Sequence, residues 1–262
     1  MKTIALLSLG VVLAGCASES GDVGETDSQL VTGPYVALGD SYSSGVGTRE
    51  YYDDNCKRSN FAYAQLVAGA KGLDLQLEAC SGAKIPDVKA NQLSALTAST
   101  GLVTISIGGN DAGFSNVITK CAEPWPVNCS GDISNANAFI KNQLPGQLDS
   151  LYSQIRSLAP HARVIVVGYP RLFNGQQCNV LARISPQEQS DLNATADLLA
   201  TTTSGIAKNH GFDFVDPRGP FTGHAVCDSV EWVNGLSDPI TESYHPNRTG
   251  HQEYATLLEK LF

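Results

Sequence analysis

Four residues spread along the chain carry the groups that acyl transfer requires. Ser41, in Gly-Asp-Ser, offers a hydroxyl nucleophile, and His245, in Ser-Tyr-His-Pro-Asn, offers a base for the hydroxyl proton. The backbone N–H groups of Ser41 and Gly82 and the side-chain amide of Asn110 can donate to the oxyanion that forms. An isolated Gly-Asp-Ser is more often a plain turn, so these residues indicate this chemistry only as a set.

The hydrophobic pattern predicts the elements that must position these residues. Five short apolar runs are typical of buried strands, and they cover 35–38, 73–79, 102–107, 163–168 and 212–215. Helical patterns cover 60–70, 86–96, 135–158 with a break at Pro145, the stretch from Ser185 to about Asn209, and the stretch after Pro246. Strands that alternate with helices predict one α/β domain with a parallel sheet covered on both faces.

The order of strands and candidate residues predicts where the site lies. Ser41, Gly82 and Asn110 each follow a predicted strand, and His245 precedes the last helix. The carboxyl ends of parallel strands share one edge of a sheet, so the four residues can converge there. We expect four loops to form the walls of the site, and they cover 42–58, 115–134, 171–184 and 216–244.

Length, composition and charge limit the possible classes of protein. The chain has 262 residues, of which 42% are apolar and 16% charged, and this fits a globular domain with a well-buried core. Its formal net charge is −9, and it has no basic run. We therefore expect no nucleic-acid partner and no attachment to anionic lipid by charge alone.

The N-terminus has the pattern of an export signal. Lys2 precedes an apolar stretch at 4–12 that is too short to span a bilayer permanently. Leu-Ala-Gly-Cys then resembles the lipobox of bacterial lipoproteins, in which the cysteine is lipidated. The pattern predicts a lipoprotein signal peptide at 1–15 and lipidation of Cys16. An ordinary cleaved signal that happens to contain a cysteine is the alternative.

The remainder of the chain divides into a tether and a folded domain. Residues 16–33 are small and acidic, which predicts a flexible tether, and the domain then spans 34–262. The domain holds six cysteines, and an even number in an exported protein predicts three disulfides, although fifteen connectivities are possible. It has no Cys-x-x-Cys pair and no histidine cluster, so we expect no metal site.

The blocks around the four candidate residues resemble those of the SGNH (GDSL-type) hydrolase superfamily. Its name gives a serine, a glycine, an asparagine and a histidine, which here would be Ser41, Gly82, Asn110 and His245. The likeness covers about 35–261 and is greatest to the actinobacterial-type secreted lipases and esterases, which carry Ala-Cys-Ser-Gly-Ala and Ser-Phe-His-Pro-Asn-like blocks. It implies a flavodoxin-like three-layer α/β/α fold with a central parallel sheet of about five strands. The disulfides that it implies are Cys56–Cys80, Cys121–Cys129 and Cys178–Cys227.

The chain departs from the superfamily at two positions. Tyr42 stands where many relatives have leucine, which should alter the packing near Ser41 more than its chemistry. Glu242 stands three residues before His245, where the superfamily often has an aspartate that orients the imidazole. Glu242 could complete a triad. Alternatively, a backbone carbonyl of the same segment could orient His245 and leave Glu242 as a solvated charge.

The resemblance implies an exported, lipid-anchored serine hydrolase that cleaves carboxylic esters, with acyl lipids as the expected substrates. Ser41 would carry the acyl intermediate, and no metal or organic cofactor would be needed. We expect a monomer that the anchor holds on the periplasmic side or at the cell surface, or that is released outside the cell. Two alternatives remain: a short-chain esterase or carbohydrate deacetylase, and a binding lipoprotein without catalytic activity.

Overall fold

The computed structural model describes residues 32–123, 126–179 and 181–261. The predicted signal peptide, the lipidation of Cys16 and all but the last two residues of the predicted tether lie outside the described residues. No helix within the described ranges has the length and apolar character needed to cross a membrane.

A five-stranded parallel sheet forms the centre of the molecule. The strands run in the order β2-β1-β3-β4-β5, and every neighbouring pair is parallel. The strands are Tyr35–Gly39 (β1), Leu75–Leu77 (β2), Leu102–Ser106 (β3), Arg163–Val167 (β4) and Asp213–Val215 (β5). Each of the five predicted apolar runs contains one of these strands or overlaps it, so the predicted α/β class is confirmed.

Helices follow the strands as the alternating pattern predicts. They are Ser41–Ser44 (α1), Tyr63–Lys71 (α2), Ile85–Asn91 (α3), Phe114–Cys121 (α4), Ser130–Asn142 (α5), Leu144–Leu158 (α6), Pro186–Asn209 (α7) and Arg248–Glu259 (α8). The predicted break near Pro145 is present, because α5 ends at Asn142 and Pro145 lies in the first turn of α6. The start of α7 is fixed by Ser185, whose hydroxyl accepts from the backbone N–H of Glu188.

Two apolar layers flank the sheet, because successive residues of a strand face opposite sides. Tyr35 and Ala37 pack into one layer with α2 and α8, whereas Val36 and Leu38 pack into the other with α3 and α6. All of β1 and β3 is buried, as expected for central strands covered on both faces. The arrangement is the predicted three-layer α/β/α fold.

Two helices were not predicted. Residues 41–44 form α1, where the sequence indicated only a flexible turn, since four residues are too few to show a helical period. Helix α4 lies in the predicted loop 115–134. Its apolar residues have the spacing i, i+3, i+4 and i+7 of an amphipathic helix, and they are Phe114, Val117, Ile118 and Cys121. The pattern was therefore present, but the cysteine made the segment look like a loop.

The three disulfides join the pairs that the resemblance implied. Cys56–Cys80 ties the segment after α1 to the residues that precede Gly82. Cys121–Cys129 joins the end of α4 to the start of α5, and Cys178–Cys227 joins two long loops. Each disulfide therefore restrains a connecting segment at the carboxyl edge of the sheet or next to it.

Candidate active site

Ser41 is held at the carboxyl end of β1, in the first turn of α1. The backbone of Gly39 has a φ of +124°, and a side chain there would place a Cβ 2.3 Å from the carbonyl oxygen of Ser106, so only glycine fits. The carboxylate of Asp40 caps α1 by accepting from the N–H of Tyr42 at 3.0 Å. These contacts fix the nucleophile candidate at the edge where ligands bind to parallel sheets.

His245 lies directly against Ser41. Its Nε2 is 2.8 Å from the Ser41 hydroxyl oxygen, and its Nδ1 is 2.8 Å from the carbonyl oxygen of Ser243. A carbonyl can only accept, so Nδ1 carries the hydrogen and Nε2 presents its lone pair to the serine hydroxyl. This is the tautomer that a general base needs.

Burial sets the charge of this imidazole. It lowers the pKa of His245 to about 4, and the Ser243 carbonyl and the negative charge of Glu242 oppose this shift. The imidazole is therefore neutral near pH 7 and can take a proton from Ser41.

The predicted contact between Glu242 and the imidazole is not found. The Glu242 carboxylate instead accepts from the Tyr51 hydroxyl at 2.6 and 2.7 Å and from the N–H of Gly47 at 2.9 Å. Glu242 ends a 3₁₀ turn at Ile240–Glu242 and is only 2% exposed, so it is not a solvated charge either. Of the two predicted ways to orient His245, the structure has the backbone carbonyl, that of Ser243, in contact with Nδ1.

Tyr42 connects α1 to the segment that carries His245. Its hydroxyl donates to the carbonyl oxygen of Tyr244 at 2.8 Å, and its ring centroid lies 5.4 Å from that of the imidazole. A leucine at this position could not make the hydrogen bond. The tyrosine therefore packs beside the imidazole and adds a polar contact that the sequence did not reveal.

The two other oxyanion candidates lie on neighbouring segments of the same edge. The Asn110 side-chain amide donates to the carbonyl oxygen of Ala83 at 3.1 Å, which ties the segment after β3 to the one that carries Gly82. The backbone of Gly82 has a φ of +80°, with open space where a Cβ would be, so its conformation, and not crowding, favours glycine. Asn110 lines one cavity together with Ser41 and His245, whereas Gly82 does not line it.

The buried Asp40 and the partly buried Tyr169 form a hydrogen-bonded pair beside the serine. The Tyr169 hydroxyl donates to Asp40 Oδ2 at 2.5 Å. Burial raises the pKa of Asp40 to about 7, against the hydrogen bonds from Tyr169 and from the N–H of Tyr42. Sequence analysis did not select Tyr169. The rule that selected the other candidates could have found it, because it lies two residues after the end of β4.

The cavity beside Ser41 and His245 has a volume of about 200 Å³ and mainly apolar walls. Helix α4 supplies Phe114 and Ile118, helix α7 supplies Ala196 and Leu199, and Ile240 lies at the rim, 66% exposed. Parts of all four predicted wall segments line the cavity, and the contribution of 42–58 is Tyr42. The contribution of α7 was not predicted.

Three other histidines, His251, His210 and His224, contact parts of the molecule other than Ser41. His251 is fully buried, and its Nε2 is 3.3 Å from the carbonyl oxygen of Val46. His210 bonds to Asp149, and His224 stacks on the ring of Trp232. Their contacts are those of packing residues, which leaves His245 as the histidine bonded to Ser41.

The fold and the arrangement of the candidate residues are those of the SGNH hydrolases. The chain belongs to the GDSL-like lipase/acylhydrolase family, whose model matches residues 37–253, and it is a carboxylic ester hydrolase of the lipase and esterase class. The identification does not rest on Ser41 alone, since the match extends from β1 into α8.

Three proteins from Streptomyces illustrate the similarity. Lipase 1 of Streptomyces coelicolor is 41% identical over 95% of this chain and 94% of its own length. A lipase of Streptomyces rimosus is 42% identical over 84% of this chain and 82% of its own. The crystal structure of phospholipase A1 from Streptomyces albidoflavus NA297 superposes with a TM-score of 0.84 at 41% identity, covering 88% of this chain and all of that one.

Proposed function

We propose that this protein is an exported lipase or esterase that hydrolyses carboxylic esters of apolar acyl groups through an acyl-Ser41 intermediate. The observation that carries the proposal is the 2.8 Å contact between Ser41 and a neutral His245 at the wall of an apolar cavity. The contact supplies an activated nucleophile, and the cavity supplies room for an acyl chain.

Acylation begins when His245 Nε2 takes the proton of the Ser41 hydroxyl. The serine oxygen attacks the ester carbonyl carbon, and the carbonyl electron pair moves to the carbonyl oxygen. The resulting oxyanion faces the N–H groups of Ser41 and Gly82 and the amide of Asn110, which stabilise it. His245, now protonated, gives its proton to the alcohol oxygen as the bond between that oxygen and the carbonyl carbon breaks.

Deacylation repeats these steps with water. His245 takes a proton from a water molecule, the water oxygen attacks the acyl carbon, and the same donors face the second oxyanion. Collapse of this intermediate releases the acid and returns the proton to Ser41. Whenever the imidazole is neutral, the carbonyl of Ser243 keeps it in the tautomer that accepts at Nε2.

The shape and chemistry of the cavity support an acyl chain longer than acetyl. Phe114, Ile118 and Leu199 offer apolar surface beside the nucleophile, and an acetyl group would leave most of it empty. Similar proteins named lipase and phospholipase A1 support the same substrate class. We therefore propose acyl lipids in preference to acetylated carbohydrates.

We further propose that the mature protein is a monomer on a lipid anchor at Cys16. Three disulfides support folding in an oxidising compartment outside the cytoplasm. The chain enters the domain at Thr32, beside Gly101 and the amino end of β1, and the candidate site lies at the opposite, carboxyl edge of the sheet. The point where the chain enters the domain and the candidate site are thus at opposite ends of the sheet.

The test is hydrolysis of p-nitrophenyl esters from acetate to palmitate by a form that lacks residues 1–16. We expect Ser41→Ala to abolish the activity of the wild type and the preferred chain to be longer than acetate. A preference for acetate would contradict the acyl-lipid assignment and favour a deacetylase. No activity on any ester, with no labelling of Ser41 by a fluorophosphonate, would favour a binding lipoprotein.

Palmitate labelling of cells tests the proposed anchor. We expect the wild type to be labelled and Cys16→Ala to lose the label.

A further inference from the structure

Tyr169 joins the segments that carry two of the candidate site residues. It follows β4, and its side chain reaches the ends of β1 and β3. Its hydroxyl donates to Asp40 Oδ2 at 2.5 Å and accepts from the N–H of Gly109 at 3.3 Å. Asp40 directly precedes Ser41, and Gly109 directly precedes Asn110. One phenol oxygen therefore bridges the residues next to the nucleophile and next to an oxyanion donor.

The ring of Tyr169 also packs between two neighbours. It meets the ring of Tyr42 edge-on, with the centroids 5.0 Å apart. A Cβ on Gly109 would lie 3.3 Å from Tyr169 Cζ, so glycine allows the phenol to lie against the backbone there. A ring held on both sides keeps its hydroxyl in one place between the two segments.

The polar partners of Tyr169 depend on its hydroxyl. Asp40 is 1% exposed, and its carboxylate accepts from the Tyr169 hydroxyl on one oxygen and from the N–H of Tyr42 on the other. Without the hydroxyl, Asp40 Oδ2 would lose this donor and the N–H of Gly109 would lose this acceptor. Buried polar groups left without partners drive local rearrangement, so both segments would be free to shift.

We propose that Tyr169 is a positioning residue that holds Ser41 and Asn110 at the spacing required for oxyanion stabilisation. Its ring lines the same cavity, but its hydroxyl bonds to Asp40 and Gly109, so it acts on Ser41 and Asn110 through their neighbours. The inference rests on the proposed function, because it assigns Tyr169 to the same ester-hydrolysing site. A displacement of about 1 Å in such a site can cost on the order of 100-fold in rate.

The test begins with Tyr169→Phe, which keeps the ring and removes the hydroxyl. We expect kcat on the best p-nitrophenyl ester to fall about 10- to 100-fold. KM should change by less than about threefold, because the cavity wall is retained. The matched control is Tyr152→Phe, since Tyr152 is buried in α6 and its hydroxyl has no hydrogen-bond partner among the described residues. It should leave both constants unchanged.

A double-mutant cycle separates positioning from a general structural effect. If Tyr169 acts by aligning Asn110 with Ser41, Tyr169→Phe should cost less than about threefold in a background that already carries Asn110→Ala. A merely structural loss would be the same in both backgrounds, and that result would overturn the inference. Circular dichroism should show each variant folded at the assay temperature.

Gly109→Ala is the second variant should Tyr169→Phe not fold. It retains the hydroxyl, but its methyl would crowd Tyr169 Cζ, and it should produce the same loss in kcat with little change in KM. An active wild type whose Tyr169→Phe variant keeps its kcat would overturn this inference alone. A wild type that hydrolyses no ester would overturn the proposed function and this inference with it.

Discussion

The carboxyl edge of the sheet and the wall of the cavity differ in how far the sequence alone reveals their residues. The edge carries Ser41, Gly82, Asn110 and His245, each within a short sequence block, and the four blocks together indicate acyl transfer. The wall carries Phe114, Ile118, Ala196, Leu199 and Ile240, which come from α4, α7 and a loop and look like ordinary core residues in the sequence. The class of reaction could therefore be predicted from short sequence blocks taken together. The substrate preference depends on how elements distant in the sequence pack around the cavity.

The largest expected effect comes from removing the base at the edge. Since His245 is the histidine bonded to Ser41, His245→Gln should reduce kcat by about 10⁴-fold or more and leave KM within a few-fold. The control is His210→Gln, because His210 bonds to Asp149 on the surface of the molecule. Steady-state kinetics on one ester measure both variants. Equal activity of the two would remove His245 from the role of base.

A change in the wall should alter selectivity and spare the chemistry. Ala196→Phe fills part of the cavity, so activity on long-chain esters should fall about 10- to 100-fold while activity on acetate stays within a few-fold. Thr201→Phe is the control, because Thr201 is exposed on the same helix and does not line the cavity. The ratio of kcat/KM for octanoate and acetate measures the effect. A parallel loss on both esters would show that the cavity does not hold the acyl chain.

A variant of Glu242 tests whether this residue belongs to a catalytic triad. Its carboxylate bonds to Tyr51 and Gly47, so Glu242→Gln should lower kcat by less than about tenfold. Loss of the carboxylate of a true triad costs about 10⁴-fold. The kinetics of this variant thus distinguish a triad that includes Glu242 from orientation of His245 by the Ser243 carbonyl alone. A loss of several thousandfold at unchanged melting temperature would restore Glu242 to the triad.

The smallest expected effect is the protonation of His245 in mild acid, because burial of the imidazole lowers its pKa. With a pKa of about 4, roughly 3% of the imidazole is protonated at pH 5.5, against about 90% at an ordinary pKa of 6.5. Because the charged form is disfavoured, the base stays competent as the pH falls and is lost only near pH 4. An NMR titration of the imidazole nitrogens measures this midpoint. A midpoint of 6 or higher would contradict the burial argument.

Local sequence signals predicted the sheet and most of the helices. Strands β1 and β3 are short apolar runs that end in polar or glycine residues, and such runs are informative because both faces of a central strand are buried. The start of α7 was predicted from its capping serine, proline and glutamate, which act within a single turn. These signals depend only on neighbours in the sequence.

The contacts that sequence analysis missed join residues that are distant in the chain. The partners of the Glu242 carboxylate lie more than 190 positions away in sequence, and Tyr169 reaches Asp40 across 129 positions. No local pattern encodes such pairs. A backbone carbonyl of the segment before His245 was one of the two predicted ways to orient the imidazole. The sequence could not say which carbonyl, because every residue has one and only the fold selects that of Ser243.

The central claim is that Ser41 carries the acyl group, and rapid acid quench followed by mass spectrometry tests it most directly. During turnover of a p-nitrophenyl ester, the peptide that contains Ser41 should gain the mass of the acyl group, and Ser41→Ala should show no such peptide. Turnover by the wild type with the acyl group on another residue, or full activity of Ser41→Ala, would contradict the account.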